Sequence, residues 1–574
     1  MRRSPPAPRG RSPPAPRERS PTRRGADEYE VSPWTSYCFL PKLLRPPRTG
    51  ATALFLTLRR LAAPGPALLL ALSLAAPAAA APRTALVLAL PGEPERGYDP
   101  IQGWGEYGHP LFQSTLLRRD ADLATQPDLA TRWQLSDDRL SWDIALREDA
   151  RFSDGAPLTA EDVAFTFNTA AKAGGAVDLS ALREARVTGP HSLRLALKAP
   201  QITFAESFFT LGIVPSAKYG PDYARHPVGS GPYRLVLWSP GQQLIAEANP
   251  EYYGPRPAFA RLTFLFTGEA ASHAAAMAGQ LDLLAVPPSL ATRVPAGMRR
   301  VVVRSVDNRG IVFPMQPAEG ATGNDVTADP AIRRAINIAL DRRALVQAAL
   351  LGFGTPAYGP ADGLPWSNPE ARLPDADPEG AARLLDEAGW RPGPDGIRAR
   401  SGQPARLPLI YFAGDSTRQA LALTVAEMLR PLGIAIEPEG RSREDTRRLM
   451  ASRPVIFGWG SHNPAEVHNL YSAAGIGHGF FNAGRYTSPA VEAHFAAAQA
   501  APSLEASLPE WRAAEWDGTT GYGMKGDAAW AWLVNLDHIY LANRCFDLGR
   551  TQIEPHGHGW PVTAGILGWR WTCP

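Results

Sequence analysis

Imidazole groups are concentrated toward the C-terminus of the chain. Seven of the eleven histidines lie after residue 461, and residues 554–560 (EPHGHGW) place His556 and His558 at positions i and i+2. Imidazole nitrogen is a common ligand of nickel, copper and zinc, so the composition allows a metal ion or a metal chelate as ligand. The surrounding glycines and prolines favour another structure, a fixed loop in which both rings bond backbone carbonyls.

The usual signatures of catalysis are missing from the sequence. There is no C-x-x-C, H-E-x-x-H, G-x-S-x-G or G-x-x-x-x-G-K-[ST] pattern, so common redox, zinc-protease, serine-hydrolase and P-loop chemistries are not indicated. After the N-terminal region only Cys545 and Cys573 remain, which allows one disulfide but no thiolate zinc site. We expect a binding protein without a cofactor of its own; a secreted hydrolase with an unrecognised site is the less favoured alternative.

The charge of the 574-residue chain changes along its length. Residues 1–60 hold thirteen Lys/Arg and four Asp/Glu, which leaves 46 of the 59 basic and 52 of the 56 acidic side chains for the rest. A protein that binds the phosphate backbone carries positive charge on its folded surface. An acidic body behind a basic leader therefore argues against nucleic acid as a partner.

The N-terminal region has the composition of a leader. Residues 1–58 are rich in proline and arginine, and we expect them to be disordered or to precede the true start of translation. Residues 59–80 contain two arginines, an apolar run over 67–76 and an A-x-A site, which is the pattern of a cleavable signal peptide. The apolar run is too short for a transmembrane helix, which needs about 20 residues. We expect export to the periplasm, with cleavage near Ala80.

Apolar periodicity after the leader predicts alternating strands and helices. Short β-rich runs predict strands over residues 84–90, 140–147, 434–437 and 454–458. Capping residues ahead of apolar stripes predict helices that begin after Thr159, Asp329 and Asp377, and a fourth helix carries the stripe from Leu421 to Leu432. At the first of these, Asp162 is placed to reach back to Thr159 in a capping box. The predicted class is α/β.

The order of these segments resembles that of the family 5 extracellular solute-binding proteins, the oligopeptide, dipeptide and nickel receptors of ABC importers. The most specific match is residues 152–163 (FSDGAPLTAEDV), although Phe-Ser-Asp-Gly stands where the family usually has an aromatic followed by His-Asp-Gly. The resemblance covers nearly the whole chain after the leader. Further matching segments are 127–130 (PDLA), 227–233 (PVGSGPY), 249–253 (NPEYY), 279–282 (GQLD), 329–342, 377–390 and 486–489 (YTSP).

The resemblance implies the two-lobed periplasmic-binding-protein clamshell, type II, of the large class with an extra subdomain in the first lobe. The chain would cross between the lobes near residues 308–310, where Gly310 is a candidate hinge, and again near 528–531. The implied division is lobe I over 82–308 with an inserted subdomain at about 126–228, lobe II over 309–530, and a return to lobe I over 531–574.

The implied function is that of the periplasmic substrate-binding component of an ABC importer. We expect a monomer that captures a small peptide-like solute and delivers it to permease subunits at the inner membrane. A receptor for nickel or another metal chelate is the alternative within the same family.

The resemblance also points to a loop that binds ligand. In peptide-binding members, a second-lobe loop carries a Trp and an Asp-Pro-Asp type segment whose acid holds the ligand's α-ammonium. The corresponding loop here has Trp459, and then His462 and Asn463 where the acid is expected. The anchor is therefore missing unless Glu466 or Glu106 supplies the charge. We expect free-amine peptides to bind poorly, and a ligand with a masked amine or a metal chelate to bind better.

A first-lobe contact is implied for residues 103–109 (GWGEYGH), whose glycines let the backbone approach a ligand closely. Arg485 could pair with a ligand carboxylate through two hydrogen bonds, or be a surface charge. Trp459 could line the cleft or fill the core. The predicted ligand-binding residues are Glu106, Tyr107, Trp459, His462, Asn463 and Arg485, with His462 also the candidate metal ligand.

Overall fold

The computed structural model describes residues 83–175 and 177–574. The predicted leader, residues 1–58, and the predicted signal peptide, residues 59–80, lie outside the described residues. Within the described ranges no helix has the length and apolar character needed to span a membrane.

Helices and strands alternate along the described chain. Eleven α-helices lie within it: α1 (Ala160–Ala173), α2 (Ser207–Thr210), α3 (Glu269–Met277), α4 (Pro330–Ala339), α5 (Arg342–Leu350), α6 (Pro378–Glu387), α7 (Ser416–Leu429), α8 (Arg443–Leu449), α9 (Ala465–Tyr471), α10 (Pro489–Gln499) and α11 (Leu504–Glu515).

The strands of the same described ranges are mostly short. They are β1 (Ala85–Ala89), β2 (Leu117–Arg119), β3 (Thr125–Pro127), β4 (Ala130–Leu135), β5 (Ser141–Leu146), β6 (Leu182–Gly189), β7 (Ser192–Leu197), β8 (Tyr233–Ser239), β9 (Gln243–Ala248), β10 (Arg261–Leu265), β11 (Leu283–Ala285), β12 (Met298–Val312), β13 (Gly354–Pro356), β14 (Arg391–Pro392), β15 (Arg398–Arg400), β16 (Gln403–Pro404), β17 (Arg406–Phe412), β18 (Ala435–Arg441), β19 (Val455–Phe457), β20 (Trp530–Asn543), β21 (Phe546–Asp547) and β22 (Arg570–Trp571).

One large mixed sheet organises the molecule. Its order is β18-β17-β19-β12-β20-β11-β1-β10-β9-β8, and β13 adds to β20. The two long strands β12 and β20 pair antiparallel in the middle, from Met298 opposite Asn543 to Val312 opposite Trp530. On one side of them lie β1 and β8–β11, which we call the first half, and on the other β17–β19, the second half. The predicted α/β class is confirmed.

The middle strands carry the chain between the two halves. Their regular pairing is interrupted between Arg304 and Asn308, and Ser305 forms a parallel bridge with Glu554 of the C-terminal segment at this point. On β20 the interruption falls at residues 535–537. This is a few residues after 528–531, where the second crossing between the lobes is expected. An interruption of pairing in both connecting strands is a local site at which backbone rotation can be absorbed.

A separate sheet, β4-β5-β7-β6, packs with α1 in the region of the predicted insert at 126–228. The helix begins as its sequence predicts, because the Asp162 carboxylate accepts the Thr159 backbone N–H at 2.9 Å. Apolar residues of α1 and the sheet, such as Phe167 and Leu195, are completely buried and form the core of this unit.

The helices of the second half follow their local signals. Asp329 caps α4 by accepting the Ala331 N–H at 2.9 Å, and Asp377 caps α6 by accepting the Gly380 N–H at 2.7 Å. The predicted apolar stripe of α4 is buried against the sheet in one core cluster with that of α7. These helices cover the second half and fix the loops that follow its strands.

The C-terminal segment returns to the first half. Trp560 stacks on Phe264 of β10 with ring centroids 4.3 Å apart, so the segment after β20 is part of the first-half core. Cys545 and Cys573 form a disulfide, which closes this segment on itself.

Candidate functional site

A cleft between the two halves contains two adjoining pockets, which share Glu106, Tyr107 and Phe481 as lining residues. The smaller encloses about 80 Å³ and the larger about 350 Å³, the latter within the range of small-molecule sites. The smaller is the acidic pocket: of the described residues that line it, four carry carboxyl groups, Glu106, Asp178, Glu206 and Glu466, and one carries a guanidinium, Arg119. The larger is the basic pocket: its charged lining residues are Arg96, Arg418, Arg443 and Glu106.

The loop after β19 is fixed against β12. The Asn308 backbone N–H donates to the Trp459 carbonyl at 2.8 Å, and the Trp459 N–H donates to the side-chain oxygen of Asn308 at 2.9 Å. Gly460 then passes so close to β12 that a Cβ there would lie 2.3 Å from the Val306 carbonyl oxygen. The sequence therefore needs glycine at 460, and the loop delivers Ser461–Asn463 to the acidic pocket in one conformation.

Asn463 begins the helix that follows the loop. Its side-chain oxygen accepts the Ala465 N–H at 2.8 Å, and its carbonyl accepts the Glu466 N–H at 3.2 Å. The residue lines the acidic pocket, but its amide oxygen is already used in starting α9.

Glu466 supplies a carboxyl group one turn later. It lies in the first turn of α9, is 9% exposed, and accepts the N–H groups of Gly460 at 3.1 Å and Ser461 at 3.2 Å. Burial raises the pKa of this carboxyl to about 8, with further contributions from Asp307 and Glu106, although the two hydrogen bonds oppose the shift. The acid that the sequence lacks at Asn463 is present at Glu466.

Glu106 and Tyr107 reach the cleft from the first half. Gly105 has a φ of +84°, and a Cβ there would lie 2.6 Å from Pro110, so glycine permits the turn that precedes them. Burial raises the pKa of Glu106 to about 7. Burial and the nearby carboxylates raise the pKa of Tyr107 well above its usual value, so its hydroxyl stays protonated. Both residues line both pockets.

His462 lies in the acidic pocket as a neutral imidazole. Burial lowers its pKa to about 3, and Arg119 and His109 add to the effect. Its Nε2 atom is enclosed and has no hydrogen-bond partner among the described residues. No group of three or more His, Cys, Asp or Glu side chains in residues 83–175 and 177–574 is arranged to hold a metal ion. Any metal at His462 would therefore have to bring other ligands with it.

Trp459 contributes an aromatic wall. Its ring stacks on Phe481 with centroids 4.7 Å apart, and it remains half-buried where it lines the basic pocket. Phe412, Phe457 and Phe480 form the adjoining apolar surface. Trp459 thus packs on its neighbours and lines the cleft at the same time.

Arg485 is not brought to the other predicted residues. It is exposed, has a φ of +56° in a turn closed by Asn482, and lines neither pocket. Sequence reasoning missed the three arginines of the basic pocket, Arg96, Arg418 and Arg443, of which Arg418 is buried at 7% exposure. It pairs with Asp415, the N-cap of α7, and the i, i+3 spacing of this acid and base was the available signal.

A buried charge network occupies the crossing of the middle strands. Asp307 contacts Arg309, the Nδ1 atom of His556 at 2.6 Å and the Nε2 atom of His538 at 3.1 Å. The Nδ1 atom of His538 lies 2.6 Å from Glu554. The prediction that the His556 ring bonds a backbone carbonyl is wrong: it bonds a carboxylate, because the C-terminal segment crosses β12 at Asp307. We call these five residues the hinge network.

The sequence matches the profile of "Bacterial extracellular solute-binding proteins, family 5 Middle" over residues 124–477. The chain belongs to this family. Members of family 5 are binding proteins, periplasmic or extracellular, that bind peptides or metal chelates and work with ABC permeases, so the expected family is confirmed. A curated relative, protein XP55 of Streptomyces lividans, is 34% identical over 487 residues, which cover 82% of this chain and 87% of the relative.

Solved structures of this family 5 protein's relatives share its fold. NikZ from Campylobacter jejuni, in complex with Ni(L-His), gives a TM-score of 0.75 at 22% identity and covers 85% of this chain and 100% of that one. AppA from Bacillus subtilis, in complex with a nonapeptide, gives 0.71 at 20% identity and covers 86% and 100%. Both are type II periplasmic binding proteins, and the predicted fold is therefore confirmed.

Proposed function

We propose that this family 5 protein is the substrate-binding component of an ABC importer and that its ligand is a zwitterionic, peptide-like solute. The family supports the receptor class, and the separation of charge along the cleft supports the ligand. A cationic group would occupy the acidic pocket, a carboxylate would occupy the basic pocket, and Tyr107 and Trp459 would flank the segment between them. The protein would bind this solute and pass it unchanged to the permease.

The separation of charge is the observation that carries the ligand class. Four carboxyl groups and one arginine line the acidic pocket, whereas three arginines and one carboxyl group line the basic pocket. Arg418 and Arg443 are partly neutralised by Asp415 and by Glu95, the latter at 3.3 Å. Each arginine still has donors for a ligand carboxylate, because a guanidinium carries five N–H groups. A ligand with one charge would leave one pocket uncompensated.

The N-terminal leader supports the part of the proposal that concerns export. Two arginines, an apolar run and an A-x-A site in residues 59–80 support export by a cleavable signal peptide. N-terminal sequencing of the exported protein should begin at or near Ala81. A mature protein that still carries residues 4–24 would contradict this part of the proposal.

A metal chelate is the second candidate ligand. The enclosed, unpartnered Nε2 atom of His462 favours it, because a neutral imidazole is a good ligand for nickel or zinc. A chelate that contributes its own carboxylates and amines would need only this one ligand from the protein. Such a ligand would also present charge to both pockets.

Calorimetry separates the two candidates. Apo protein should be titrated with free tripeptides, with the same peptides blocked at the amine or at the carboxylate, and with nickel–histidine mixtures, each with and without a chelator. The zwitterion proposal expects the doubly charged peptides to bind best, insensitive to the chelator and to His462→Ala. Binding only of the nickel mixture, lost in His462→Ala, would establish the alternative. Consumption of a bound peptide would contradict a binding function.

A further inference from the structure

We propose that Glu106 and Glu466 form a carboxyl clamp, one carboxyl group from each half of the molecule, that closes on a cationic group of the ligand such as an ammonium. This inference rests on the proposed function, because it requires a ligand in the cleft. It assigns the anchor that is missing at Asn463 to both of these residues acting together, and it predicts that ligand capture displaces a proton.

The two carboxyl groups reach one pocket from opposite sides. Glu106 follows the turn at Gly105 in the first half, and Glu466 lies in the first turn of α9 in the second half. Both line the acidic pocket. A cation between them would be attracted by both halves at once, so its binding would favour closure of the cleft.

Both carboxyl groups retain acceptor capacity for a ligand. Each oxygen of Glu466 accepts one backbone N–H, and each has a second lone pair. The Glu106 side chain is half-buried in the cleft and makes no hydrogen bond or ion pair with a described residue. Burial disfavours its ionised form, so its carboxyl group favours a proton or a bound cation over an unpaired charge.

The other charged groups around the clamp leave this site acidic. Arg119 is held by Glu206 at 2.5 Å and lies over the ring of Phe209, so its charge is already paired. Asp178 accepts hydrogen bonds from Gln201 and Ser180 on the same wall. Asp307, which is paired in the hinge network, neutral His462 and His109, and the protonated hydroxyl of Tyr107 also face the clamp. Glu106 shares the basic pocket with Arg96, Arg418 and Arg443, of which Arg418 pairs with Asp415 and Arg443 with Glu95.

The empty clamp holds protons at neutral pH. Burial raises the pKa of Glu106 to about 7 and that of Glu466 to about 8, and the charge of Glu106 further disfavours ionisation of Glu466. A bound ammonium stabilises both carboxylates, so their protons leave to the solvent while the ammonium keeps its own. We expect release of about one proton for each ligand bound at pH 7.

The clamp reverses one expectation drawn from the sequence. The absence of an acid at Asn463 suggested that free-amine peptides bind poorly. With Glu466 and Glu106 in the acidic pocket, an amine finds two carboxylates there, and a masked amine would leave them unpaired. The free amine is therefore the preferred form.

The test uses an equimolar mixture of free-amine tripeptides of the standard amino acids and the same mixture after N-acetylation. Native mass spectrometry identifies the retained tripeptides, and calorimetry in two buffers of different ionisation enthalpy measures affinity and proton release for one of them. Wild-type protein should retain tripeptides from the free-amine mixture and release about one proton at pH 7. Glu106→Gln and Glu466→Gln should each weaken binding at least tenfold and reduce the release. Glu505→Gln, an exposed carboxyl group that lines neither pocket, should change affinity less than twofold.

The outcomes separate the clamp from the proposed function. Equal retention of free and acetylated tripeptides, or unchanged affinity in Glu106→Gln, would overturn the clamp and leave a peptide-like ligand in place. Retention of neither mixture would overturn the peptide-like ligand and the clamp with it. Because Glu106 has no described hydrogen bond to lose, Glu106→Gln keeps the test decisive even if Glu466→Gln fails to fold.

Discussion

The charge of His538 should control the stability of the strand crossing. Its ring lies between two buried carboxyl groups, 2.6 Å from Glu554 and 3.1 Å from Asp307. Burial alone would lower the pKa of His538, but the hydrogen bonds to Asp307 and Glu554 outweigh it and raise the pKa to about 9. The native protein thus binds a proton here that the unfolded chain, with a pKa of about 6.5, releases at a lower pH.

The size and sign of the effect follow from this difference. A shift of about 2.5 pKa units corresponds to about 3 kcal/mol at 1.36 kcal/mol per unit. That contribution is fully present below the unfolded pKa of about 6.5 and is lost as the pH rises through about 9. We expect His538→Gln to remove it, because glutamine leaves Asp307 and Glu554 with Arg309 as the single remaining cation of the hinge network.

Urea unfolding followed by tryptophan fluorescence between pH 6 and 10 provides the assay. His494→Gln is a matched control, because His494 also lies between two carboxylates, Glu510 at 2.7 Å and Asp517 at 3.6 Å, but these carboxylates are 40% and 26% exposed, whereas Asp307 and Glu554 are buried. Ion pairs open to solvent contribute roughly 0–1 kcal/mol. The difference in free energy of unfolding between wild type and His538→Gln should be about 3 kcal/mol at pH 6 and vanish near pH 10. If the free energies of unfolding of wild type and His538→Gln change with pH in parallel, the argument is refuted.

Three further predictions concern the cleft and the C-terminal segment. Gln499→Ala removes the hydrogen bond that the Thr203 hydroxyl donates to the Gln499 side chain across the cleft at 2.8 Å. Small-angle scattering should then show a larger radius of gyration. Calorimetry should show about fivefold weaker ligand binding, which is equivalent to about 1 kcal/mol. Cys573→Ala opens the disulfide to Cys545, a sequence separation of 28, and urea unfolding should show a loss of about 3–4 kcal/mol from chain entropy. Arg485→Ala should leave ligand affinity within twofold of wild type in the same titration, since its side chain lies outside both pockets.

Features fixed by neighbouring residues were predictable from the sequence. The start of α1 was predicted because Thr159 and Asp162 are three residues apart, and their hydrogen bond is local. The strand over residues 84–90 was recognised as a short β-rich run and is observed at Ala85–Ala89. Such elements depend on capping and apolar periodicity, which a single sequence displays.

Features that depend on distant segments were not predictable. The pairing of β12 with β20 joins strands more than 200 residues apart, and no local pattern records their register. The partner of His556 was missed for the same reason, because Asp307 lies 249 residues away. Residue type alone left Arg485 open as a carboxylate partner or a surface charge, because the choice depends on where the fold carries its turn, and the residue is exposed.

The hinge network and the clamp belong to one electrostatic unit. His556 donates its backbone N–H to the Gly460 carbonyl at 2.7 Å, and the N–H of the same Gly460 is bonded to Glu466. Asp307 also raises the pKa of Glu466 through its negative charge. An ammonium that ionises Glu466 brings its own positive charge, which compensates the new carboxylate, so the net charge near Asp307 changes little. Ligand binding should accordingly leave the pKa of His538 nearly unchanged, and the pH at which wild-type protein loses its extra stability should stay near 9 when ligand is present.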